Sequence, residues 1–340
     1  MTNSSSEADK PINVAVDAMG GDNAPEEVVL GAVESAKEGT NIFLVGSPEQ
    51  IQPLLQNLDI SGLPLQFVPS EGTIGETEQP ILALRKKPKA SVNVAAALVQ
   101  KGTADAFVSM GPTGATMISA IHLLGMIEGI ERPILGGPVI DLAPETTLWD
   151  LGVNVDSKPR LFLEFAAIGV AFCREYLGLS NPTIALMNVG EEEAKGNRQV
   201  KEVFPLLSSS GYNFIGNIEA HEYFSGKANI VLADGFVGNI LLKFSEGMGY
   251  AMADYLHDQL TEKLPANQLD QLKENVISKL DLLNTYGSPL WGIDGISIVG
   301  HGRGKAKQVH AAIQTAAMVV KRDLISGIKQ ELTHVRESTE

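Results

Sequence analysis

The chain has 340 residues, of which 44% are hydrophobic and 34 are glycine, a composition ordinary for a soluble α/β enzyme. Its formal net charge of -15 argues against a protein that binds the phosphate backbone of nucleic acids, because that binding depends on clustered lysine and arginine. No uninterrupted apolar run approaches the roughly 20 residues that a membrane-spanning helix needs, so a spanning protein is also excluded.

The first ten residues are polar and contain no apolar segment of the kind found in signal peptides. We expect residues 1–10 to form a disordered leader, residues 11–330 a single α/β domain, and residues 331–340 a polar tail. The single cysteine, Cys173, lies inside a predicted buried helix, which excludes a disulfide framework and indicates a reducing compartment. The protein is therefore expected in the cytoplasm.

Six short apolar runs have the composition of strands that are covered on both faces. They are INVAVD from Ile12, NIFLVG from Asn41, ADAFVS from Ala104, TIALMN from Thr183, NIVLAD from Asn229 and ISIVG from Ile296. Segments of helical length and composition lie between most of them, such as residues 91–102 and 305–329. This alternation predicts an α/β fold with a doubly wound, mostly parallel sheet and helices on both faces.

The strand pattern stops over about residues 244–290, where two helices around Pro265 are predicted to form a helical protrusion. Apolar residues of the second helix recur at intervals of three or four, which makes one stripe. Its members are Leu269, Leu272, Val276, Ile277, Leu280 and Leu283. We expect the stripe to pack on the body of the protein or on a second subunit. A peripheral contact with the inner face of the membrane is the alternative, although the flanking lysines are few.

Glycine with polar neighbours follows five of the six predicted strands. The five segments are AMGGD (18–22), MGPTGA (110–115), VGEEEAKGN (189–197), GFVGN (235–239) and GHGRGK (300–305). Glycine in such turns allows backbone amides to converge on an anion, especially where a helix begins. With Asp17, Asp22, Lys195, Asn239 and His301 beside these turns, we expect one composite site along the carboxyl ends of the strands.

The segment NVGEEEAKGN (188–197) carries the densest charge at a strand end. Its three adjacent glutamates are expected at the solvated N-terminus of a helix, where negative charge is favourable. Lys195 is different, because a cation beside the Gly196 turn is a natural anchor for an anion.

Eight segments carry a further signal. They are VDAMGGD (16–22), GIERP (129–133), DLGVNVD (150–156), NVGEEEAKGN (188–197), NFIGNIE (213–219), DGFVGN (234–239), YGSPLWGIDG (286–295) and GHG (300–302). These segments resemble the PlsX-type phosphate acyltransferases, collinearly from about Asn13 to Lys329. The resemblance implies a fold akin to the isocitrate and isopropylmalate dehydrogenases, usually as a homodimer. It also implies an enzyme that transfers a fatty acyl group from acyl-acyl-carrier-protein to inorganic phosphate, giving acyl phosphate for phospholipid synthesis.

Two positions depart from the pattern of that family. Pro112 replaces the usual asparagine in SMGPTGA, which removes an amide side chain and a backbone N–H group, and Ala90–Val92 keeps one hydroxyl of a serine-rich segment. A catalytically silent homologue that binds acyl carrier protein therefore stays open, as does a phosphotransacylase that uses acyl-coenzyme A. A nicotinamide-dependent dehydrogenase would share the fold, but no G-x-G-x-x-G motif follows the first strand.

The resemblance and the local chemistry together give the expected catalytic residues. Lys195 and glycine-turn amides hold phosphate or the developing oxyanion, Asn239 donates to the thioester carbonyl, and His301 protonates the departing thiolate or binds phosphate. The residues expected to bind phosphate or the acyl group are Asp17, Gly20, Gly21, Asp22, Gly111, Thr113, Gly114, Asn154, Asp156, Gly190, Asp234 and Gly235.

Carboxylates repel phosphate, so the acidic residues of this set need another role. Asp17, Asp22 and Asp156 are expected to order loops by accepting backbone N–H groups or by pairing with Lys195. A cation at Asp17 or Asp234 is the alternative. The sequence has no His/Cys cluster with zinc spacing and no carboxylate cluster that requires a metal, so we expect neither metal nor cofactor.

Acyl carrier protein is acidic, so its docking face must be basic despite the net charge of -15. The densest basic stretches are LRKKPK (84–89) and GRGKAK (302–307). The residues expected to dock the carrier protein are Arg85, Lys86, Arg303 and Lys305.

Overall fold

The computed structural model describes residues 11–339, without the side chains of residues 283, 284 and 334–339. These residues form two compact units, which are described separately: residues 11–127 with 286–325, and residues 128–285 with 326–339. The single domain over residues 11–330 stays a prediction. The predicted leader lies outside the described residues.

The first unit contains six strands in the order β3-β2-β1-β4-β11-β10. Their bounds are β1 (Asn13–Asp17), β2 (Asn41–Gly46), β3 (Leu65–Pro69), β4 (Ala106–Ser109), β10 (Ser288–Trp291) and β11 (Ile296–Val299). The pairs among β3, β2, β1, β4 and β11 are parallel, and β10 pairs antiparallel with β11. In this register Ser109 lies beside Asp17 on one side and Val299 on the other, so three strands end together at one edge.

Helices cover both faces of this first sheet. They are α1 (Glu26–Lys37), α2 (Pro48–Gln56), α3 (Pro80–Lys86), α4 (Ser91–Gln100), α5 (Thr113–Leu124) and α11 (Ala306–Lys321). On one face, α1 and α11 pack together on the buried residues Val14 and Val16 of β1, while α4 packs on the other face. The two faces of β1 are therefore both dry, which explains why its sequence is continuously apolar.

The second unit contains five strands in the order β5-β6-β9-β7-β8. They are β5 (Ile134–Gly137), β6 (Thr147–Trp149), β7 (Ile184–Met187), β8 (Phe214–Ile218) and β9 (Ile230–Leu232). Its helices are α6 (Leu161–Glu175), α7 (Arg198–Ser208), a 3-10 helix (Ala220–Ser225), α8 (Gly235–Leu260), α9 (Ala266–Leu280), α10 (Leu282–Tyr286) and most of α12 (Leu324–Thr339). The pair β5 and β6 is antiparallel, and the other pairs are parallel.

The predicted α/β class and the mostly parallel, doubly wound arrangement are confirmed within each unit. All six predicted strands are present, as β1, β2, β4, β7, β9 and β11. The helix predicted over residues 305–329 is two helices, because α11 ends at Lys321 and Asp323 has a left-handed backbone with φ of 47°. The predicted polar tail continues α12 as far as Thr339, with Leu332 buried.

The helical stretch predicted over residues 244–290 has different limits in the structure. It begins at Gly235, the first residue of α8, and β10 occupies the end of the predicted range. The apolar stripe of α9 packs on α8, where Leu269 and Leu280 are buried and Gly249 lies against Leu280. Leu269 and Leu280 of the stripe are therefore covered within this chain. The side chain of Leu283 lies outside the described residues.

Cys173 is fully buried in α6, as predicted, and burial raises the pKa of its thiol to about 12. Such a thiol stays protonated and unreactive at neutral pH. Among residues 11–339, no helix is both long enough and apolar enough to cross a membrane.

Candidate active site

The first part of the site is built where β1 and β4 end side by side. Asp17 is buried at the end of β1, and its Oδ2 accepts a hydrogen bond of 2.7 Å from Ser109 Oγ at the end of β4. Asp17 Oδ1 accepts the N–H group of Met19 at 3.2 Å. The expectation that Asp17 orders its loop by accepting a backbone N–H group is thus met.

Two glycines allow the loops after β1 and β4 to touch. A Cβ atom at Gly20 would lie 2.7 Å from both Asp17 Oδ2 and the backbone nitrogen of Gly111. Gly21 adopts a φ of 105°, which favours glycine. These positions therefore require glycine for reasons of space and backbone conformation.

Burial raises the pKa of the Asp17 carboxyl above its ordinary value. Hydrogen bonds from Ser91, Ser109 and the amides of Met19 and Gly20 act in the opposite direction, but burial is the largest effect. Ser91 is the hydroxyl that remains in the ASV segment, so it supports Asp17 from the start of α4. The neutral, protonated carboxyl is accordingly favoured more than for an exposed aspartate.

The amide of Gly111 does not face a ligand in this structure. It donates to Ser109 Oγ at 3.1 Å, so its expected role in holding phosphate is not met here. The N-terminus of α5 offers other donors. No protein acceptor is present, within the part of the chain that the structure describes, for the N–H groups of Thr113, Gly114 and Ala115 in the first turn. Amides of this kind bind anions, with the helix dipole contributing.

Pro112 is the N-cap of α5 and does not disturb the start of the helix. Its carbonyl accepts the N–H group of Thr116 at 3.1 Å and the Thr116 hydroxyl at 3.3 Å. The consequence of this departure is therefore the missing amide side chain and not a broken helix.

A small cavity of about 10 Å³ lies between these elements. Asp17, Gly20, Ser91 and Thr116 are among its lining residues. That volume is about that of one water molecule, which is too small for phosphate. Bound phosphate therefore either requires the lining loops to move or lies outside the cavity, at the N-terminus of α5.

The turn after β11 joins the same edge of the first sheet. Gly302 accepts the N–H group of Asp22 at 2.7 Å through its carbonyl oxygen, so the GHGRG turn is bound to the loop after β1. His301 is half-buried, and its Nδ1 accepts the N–H group of Arg303 at 3.3 Å. Neutral His301 therefore carries its proton on Nε2, the nitrogen left to face a ligand.

The charged segment 188–197 forms a turn in the second unit. The expectation that its glutamates begin a helix is wrong, because α7 begins after them at Arg198, with Asn197 as N-cap. Asn188 Nδ2 donates to the carbonyl oxygen of Lys195, and Gly196 has a φ of 95°. Sequence and structure thus agree that a glycine turn presents Lys195.

Lys195 is the cation of this turn. Its side chain is 57% exposed, its stem lies against Gly190, and its Nζ is 4.0 Å from Glu192 Oε1. This contact with Glu192 is long for an ion pair, so the ammonium is accessible to an anion.

A second loop of this unit supports the N-terminus of α8. Asp150, buried and with a φ of 58°, accepts the N–H groups of Gly152, Val153 and Asn154. The Asn154 side chain donates to the carbonyl oxygen of Pro133 and to Asp150 Oδ2, so it is used within the loop. Asp150 was not among the predicted residues, since nothing in its sequence signals a left-handed backbone.

Asp234 caps α8, so the segment DGFVGN is a helix start and not a turn. Its Oδ1 accepts the N–H group of Phe236, and its Oδ2 accepts the N–H group of Ser157 and lies 3.2 Å from Gln199 Nε2. These contacts give Asp234 a structural role. Gly235 donates its N–H group to the carbonyl oxygen of Asn154. A Cβ atom at Gly235 would lie 2.4 Å from that oxygen, so this position requires glycine.

Asn239 lies in the second turn of α8 and is exposed. Its side chain stands against Gly152, and no hydrogen bond of its amide is present among the described residues. The amide is therefore available to a ligand. Asp156 is exposed and has a φ of 57°, and no hydrogen bond or ion pair of its carboxylate is present among the described residues.

The predicted docking residues are all exposed: Arg85, Lys86, Arg303 and Lys305. The first two end α3, and the other two precede α11. In the described range, no cluster of three or more His, Cys, Asp or Glu side chains is placed to hold a metal ion.

Sequence reasoning missed Ser109 and Ser91, which contact Asp17 in the first unit, and Gln199, which contacts Asp234 in the second. Ser109 stands at a strand end before a glycine turn, which is a readable signal. The contact of Gln199 with Asp234 depends on the fold and has no local sequence mark.

Comparison with known proteins places these features in a family. The family model described as "Fatty acid synthesis protein" matches residues 12–327. A phosphate acyltransferase of Heliobacterium modesticaldum is 40% identical over 328 residues, which cover 94% of this chain and 98% of the relative.

Solved structures show the same fold at low sequence identity. A phosphotransacetylase from Streptococcus pyogenes has a TM-score of 0.61 and 16% identity, and the alignment covers 94% of this chain and 95% of that one. A 4-hydroxythreonine-4-phosphate dehydrogenase from Klebsiella pneumoniae has a TM-score of 0.53 and 15% identity, with coverage of 92% and 100%. At these identities the likeness concerns the fold alone.

Proposed function

Because the chain belongs to the fatty acid synthesis protein family, whose matched relatives include phosphate acyltransferases, we propose that it transfers a fatty acyl group from acyl carrier protein to inorganic phosphate. The family match over residues 12–327 is the observation that carries this proposal. A phosphate oxygen attacks the thioester carbonyl, a C–O bond forms and the C–S bond breaks. The products are acyl phosphate and the carrier-protein thiol.

Phosphate is itself the nucleophile, so the enzyme contributes position and charge stabilisation. The unpaired N–H groups of Thr113 and Gly114 at the start of α5 are proposed to hold phosphate oxygens. Gly20, Gly21 and Gly111 shape the adjacent loops, because larger residues would collide there. Lys195 is proposed as the cationic anchor for phosphate or for the developing oxyanion.

Asn239 and His301 complete the proposed chemistry. The free, exposed amide of Asn239 is proposed to donate to the thioester carbonyl as negative charge develops on its oxygen. The Nε2–H of His301, fixed by the Arg303 N–H group on the other ring nitrogen, is proposed to supply the proton to the departing thiolate. Both roles use groups with no competing protein partner among the described residues.

The acyl carrier protein is proposed as the donor. The exposed cations Arg85, Lys86, Arg303 and Lys305 are proposed to attract its acidic surface. Acyl-coenzyme A is the competing donor, and the family match does not distinguish the two. A catalytically silent homologue is the other alternative, because Pro112 removes an amide side chain even though α5 begins normally.

The protein is also proposed to act as a homodimer. Along α8, large apolar residues recur at four-residue spacing and are more than 40% exposed: Phe236, Ile240, Phe244 and Met248. An unpartnered apolar stripe of this length suits a second copy of the same helix. Light scattering of wild type and Phe244→Glu is expected to give dimer and monomer. Wild type that is monomeric and sediments with phospholipid vesicles would favour the peripheral membrane contact instead.

A comparison of the two acyl donors tests which of them the enzyme uses. Thiol release from palmitoyl-acyl-carrier-protein and from palmitoyl-coenzyme A is measured with and without phosphate. We expect phosphate-dependent release that favours the carrier-protein donor and that weakens with salt, because docking is electrostatic. Equal or better release from coenzyme A would replace the carrier protein as donor while leaving acyl transfer to phosphate in place.

A further inference from the structure

A groove of about 420 Å³ lies in the first unit, between β3, the segment from α3 to α4, and the end of α5. This volume lies within the range of small-molecule sites, roughly 300–1,000 Å³. Its apolar walls come from Val68, Leu84, Val94, Ala97, Leu98 and Leu123. Most of its lining is therefore suited to a hydrocarbon chain and not to a polar metabolite.

The titratable residues that line this groove are all basic. Arg85, Lys101 and His122 line it, and no aspartate or glutamate does. Within the part of the chain that the structure describes, neither Arg85 nor Lys101 forms an ion pair with a carboxylate. In a chain with a net charge of -15, two unpaired cations on one apolar groove are complementary to an anionic group.

The groove is separate from the small cavity at Asp17, although α4 and α5 contribute to both. Thr116 lines the small cavity, and Leu123, seven residues later on α5, lines the groove, about 10 Å along the helix. Between the two, Ser119 Oγ donates to Asn93 Oδ1 at 2.6 Å in a buried contact that ties α5 to α4. The groove and the small cavity thus share no lining residue.

We propose that this groove binds one unbranched apolar chain with an anionic head group, with the chain between α4 and α5 and the head at Arg85 and Lys101. This is a second ligand site, separate from the cavity at Asp17, although it shares Arg85 with the proposed carrier-protein docking face. Arg85 would contact the head group through the paired N–H donors that suit phosphate or carboxylate oxygens. Each methylene removed from water is expected to raise affinity about threefold to fourfold.

Calorimetric titration with dodecyl phosphate, below its critical micelle concentration and with neither carrier protein nor thioester, tests the site without any turnover. In the presence of excess inorganic phosphate, which occupies the phosphate site of acyl transfer, we expect saturable binding of one molecule per chain, and binding of octyl phosphate weaker by on the order of 10²-fold. Dodecanoate is expected to bind as well, and dodecanol at least about 10-fold more weakly, since it lacks the charge. A further increase in inorganic phosphate is expected to leave this affinity unchanged, because the groove is not the phosphate site.

Variants with changed groove residues test whether the ligand binds in the groove. Ala97→Trp fills the middle of the groove and is expected to abolish binding, and Val94→Phe provides a second blocking change if Ala97→Trp does not fold. Arg85→Ala with Lys101→Ala is expected to weaken dodecyl phosphate about 10-fold or more, but not dodecanol. Lys89→Ala is the matched charge control, because Lys89 is exposed, pairs with Glu71 and does not line the groove.

Several results would overturn the proposal. They are the absence of saturable binding in excess inorganic phosphate, wild-type affinity in both folded blocking variants, equal binding of dodecanol and dodecyl phosphate, or displacement when inorganic phosphate is raised further. Loss of affinity in Lys89→Ala equal to that in the double variant would also overturn it, because the effect would then come from general charge. These binding measurements do not depend on turnover, so they can be made even if the enzyme is inactive toward both thioesters. The groove proposal and the proposed acyl transfer can therefore be contradicted independently of each other.

Discussion

Gly238 of α8 lies directly against the carbonyl oxygen of Asp150, so closely that a Cβ atom at this position would overlap it. Asp150 in turn holds the 150–154 loop by accepting three of its N–H groups. The start of α8 and this loop therefore form one packed element, which presents Asn239 and contains Asp234 as helix cap. The relationship depends on glycine having no side chain.

Gly238→Ala is therefore expected to destabilise the protein, by about 1–3 kcal/mol as for other overpacked sites. Gly247→Ala is the matched control, because Gly247 lies in the same helix with no atom within 4 Å of an added Cβ. There alanine is expected to stabilise by about 0.5–1 kcal/mol through its higher helix propensity. Urea unfolding measures both. A Gly238→Ala protein as stable as wild type would contradict the close packing.

Asp17→Asn tests the buried carboxyl at the end of β1. Burial raises the pKa of Asp17 in the folded state above its ordinary value of 3.8, so its contribution to folding is full below pH 3.8 and is lost as the pH rises through the folded pKa. Asparagine keeps an acceptor for Ser109 but does not ionise. The stability of wild type relative to the variant is therefore expected to fall over this window.

Urea unfolding of wild type and Asp17→Asn at a series of pH values measures that difference. Across the window, the stability of wild type relative to the variant should fall by about 1.4 kcal/mol for each unit by which the folded pKa exceeds 3.8. Asp59→Asn, at an exposed loop position, is the control for the removal of a carboxylate. Parallel curves for wild type and Asp17→Asn would show that burial does not dominate at this carboxyl.

Lys195→Ala removes the exposed cation of the 188–197 turn. We expect the KM for phosphate to rise roughly 10- to 100-fold, since a hydrogen bond to a charged group contributes about 1.5–3 kcal/mol. Lys201→Ala, an exposed lysine on the neighbouring helix α7, is expected to leave this KM unchanged. Steady-state rates at varied phosphate decide the point, and an unchanged KM in Lys195→Ala would remove Lys195 from the site.

Asn239→Ala tests the donor proposed for the thioester oxygen. Loss of one such donor is expected to lower kcat about 10²- to 10³-fold. The KM for phosphate should change little, which separates this role from that of Lys195. Because Asn239 is exposed and has no hydrogen bond among the described residues, unfolding free energy should match wild type. A loss of stability together with activity would point to a structural role instead.

Cys173 offers a reporter of folding. Since burial raises the pKa of its thiol to about 12, a disulfide reagent at pH 8 is expected to label it only after unfolding. The measurement is thiol release against urea concentration, which should follow the unfolding transition. Complete labelling within seconds in the absence of urea would show that α6 is not packed as described.

Buried strands were the most predictable part of the fold. The six runs found in the sequence are covered on both faces, and their continuous apolar pattern has no other common explanation. The five missed strands give weaker signals: β6 has three residues, β5 ends in two glycines, and β3 alternates between exposed and partly buried positions. The limits of α8 were missed because a glycine-rich start does not look helical.

The candidate site was predictable to the level of its strand ends. Glycine turns after β1, β4 and β11 indicated where the loops converge, and family resemblance supplied the chemistry. The hydrogen-bond partner of each backbone amide could not be predicted from the sequence. Gly111 and Gly114 belong to the same segment, yet the N–H group of Gly111 donates to Ser109 and that of Gly114 has no protein acceptor among the described residues. The left-handed backbone of Asp150 likewise depends on the packing of α8 and not on local sequence.

The most direct test of the central claim is the stoichiometry of acyl transfer to phosphate. Folded protein is incubated with palmitoyl-acyl-carrier-protein and phosphate, free thiol is counted, and acyl phosphate is trapped with hydroxylamine as the hydroxamate. We predict thiol release that requires phosphate and one trapped acyl group for each thiol. Thiol release that is independent of phosphate, or no release from either the carrier-protein or the coenzyme A donor, would contradict a phosphate acyltransferase.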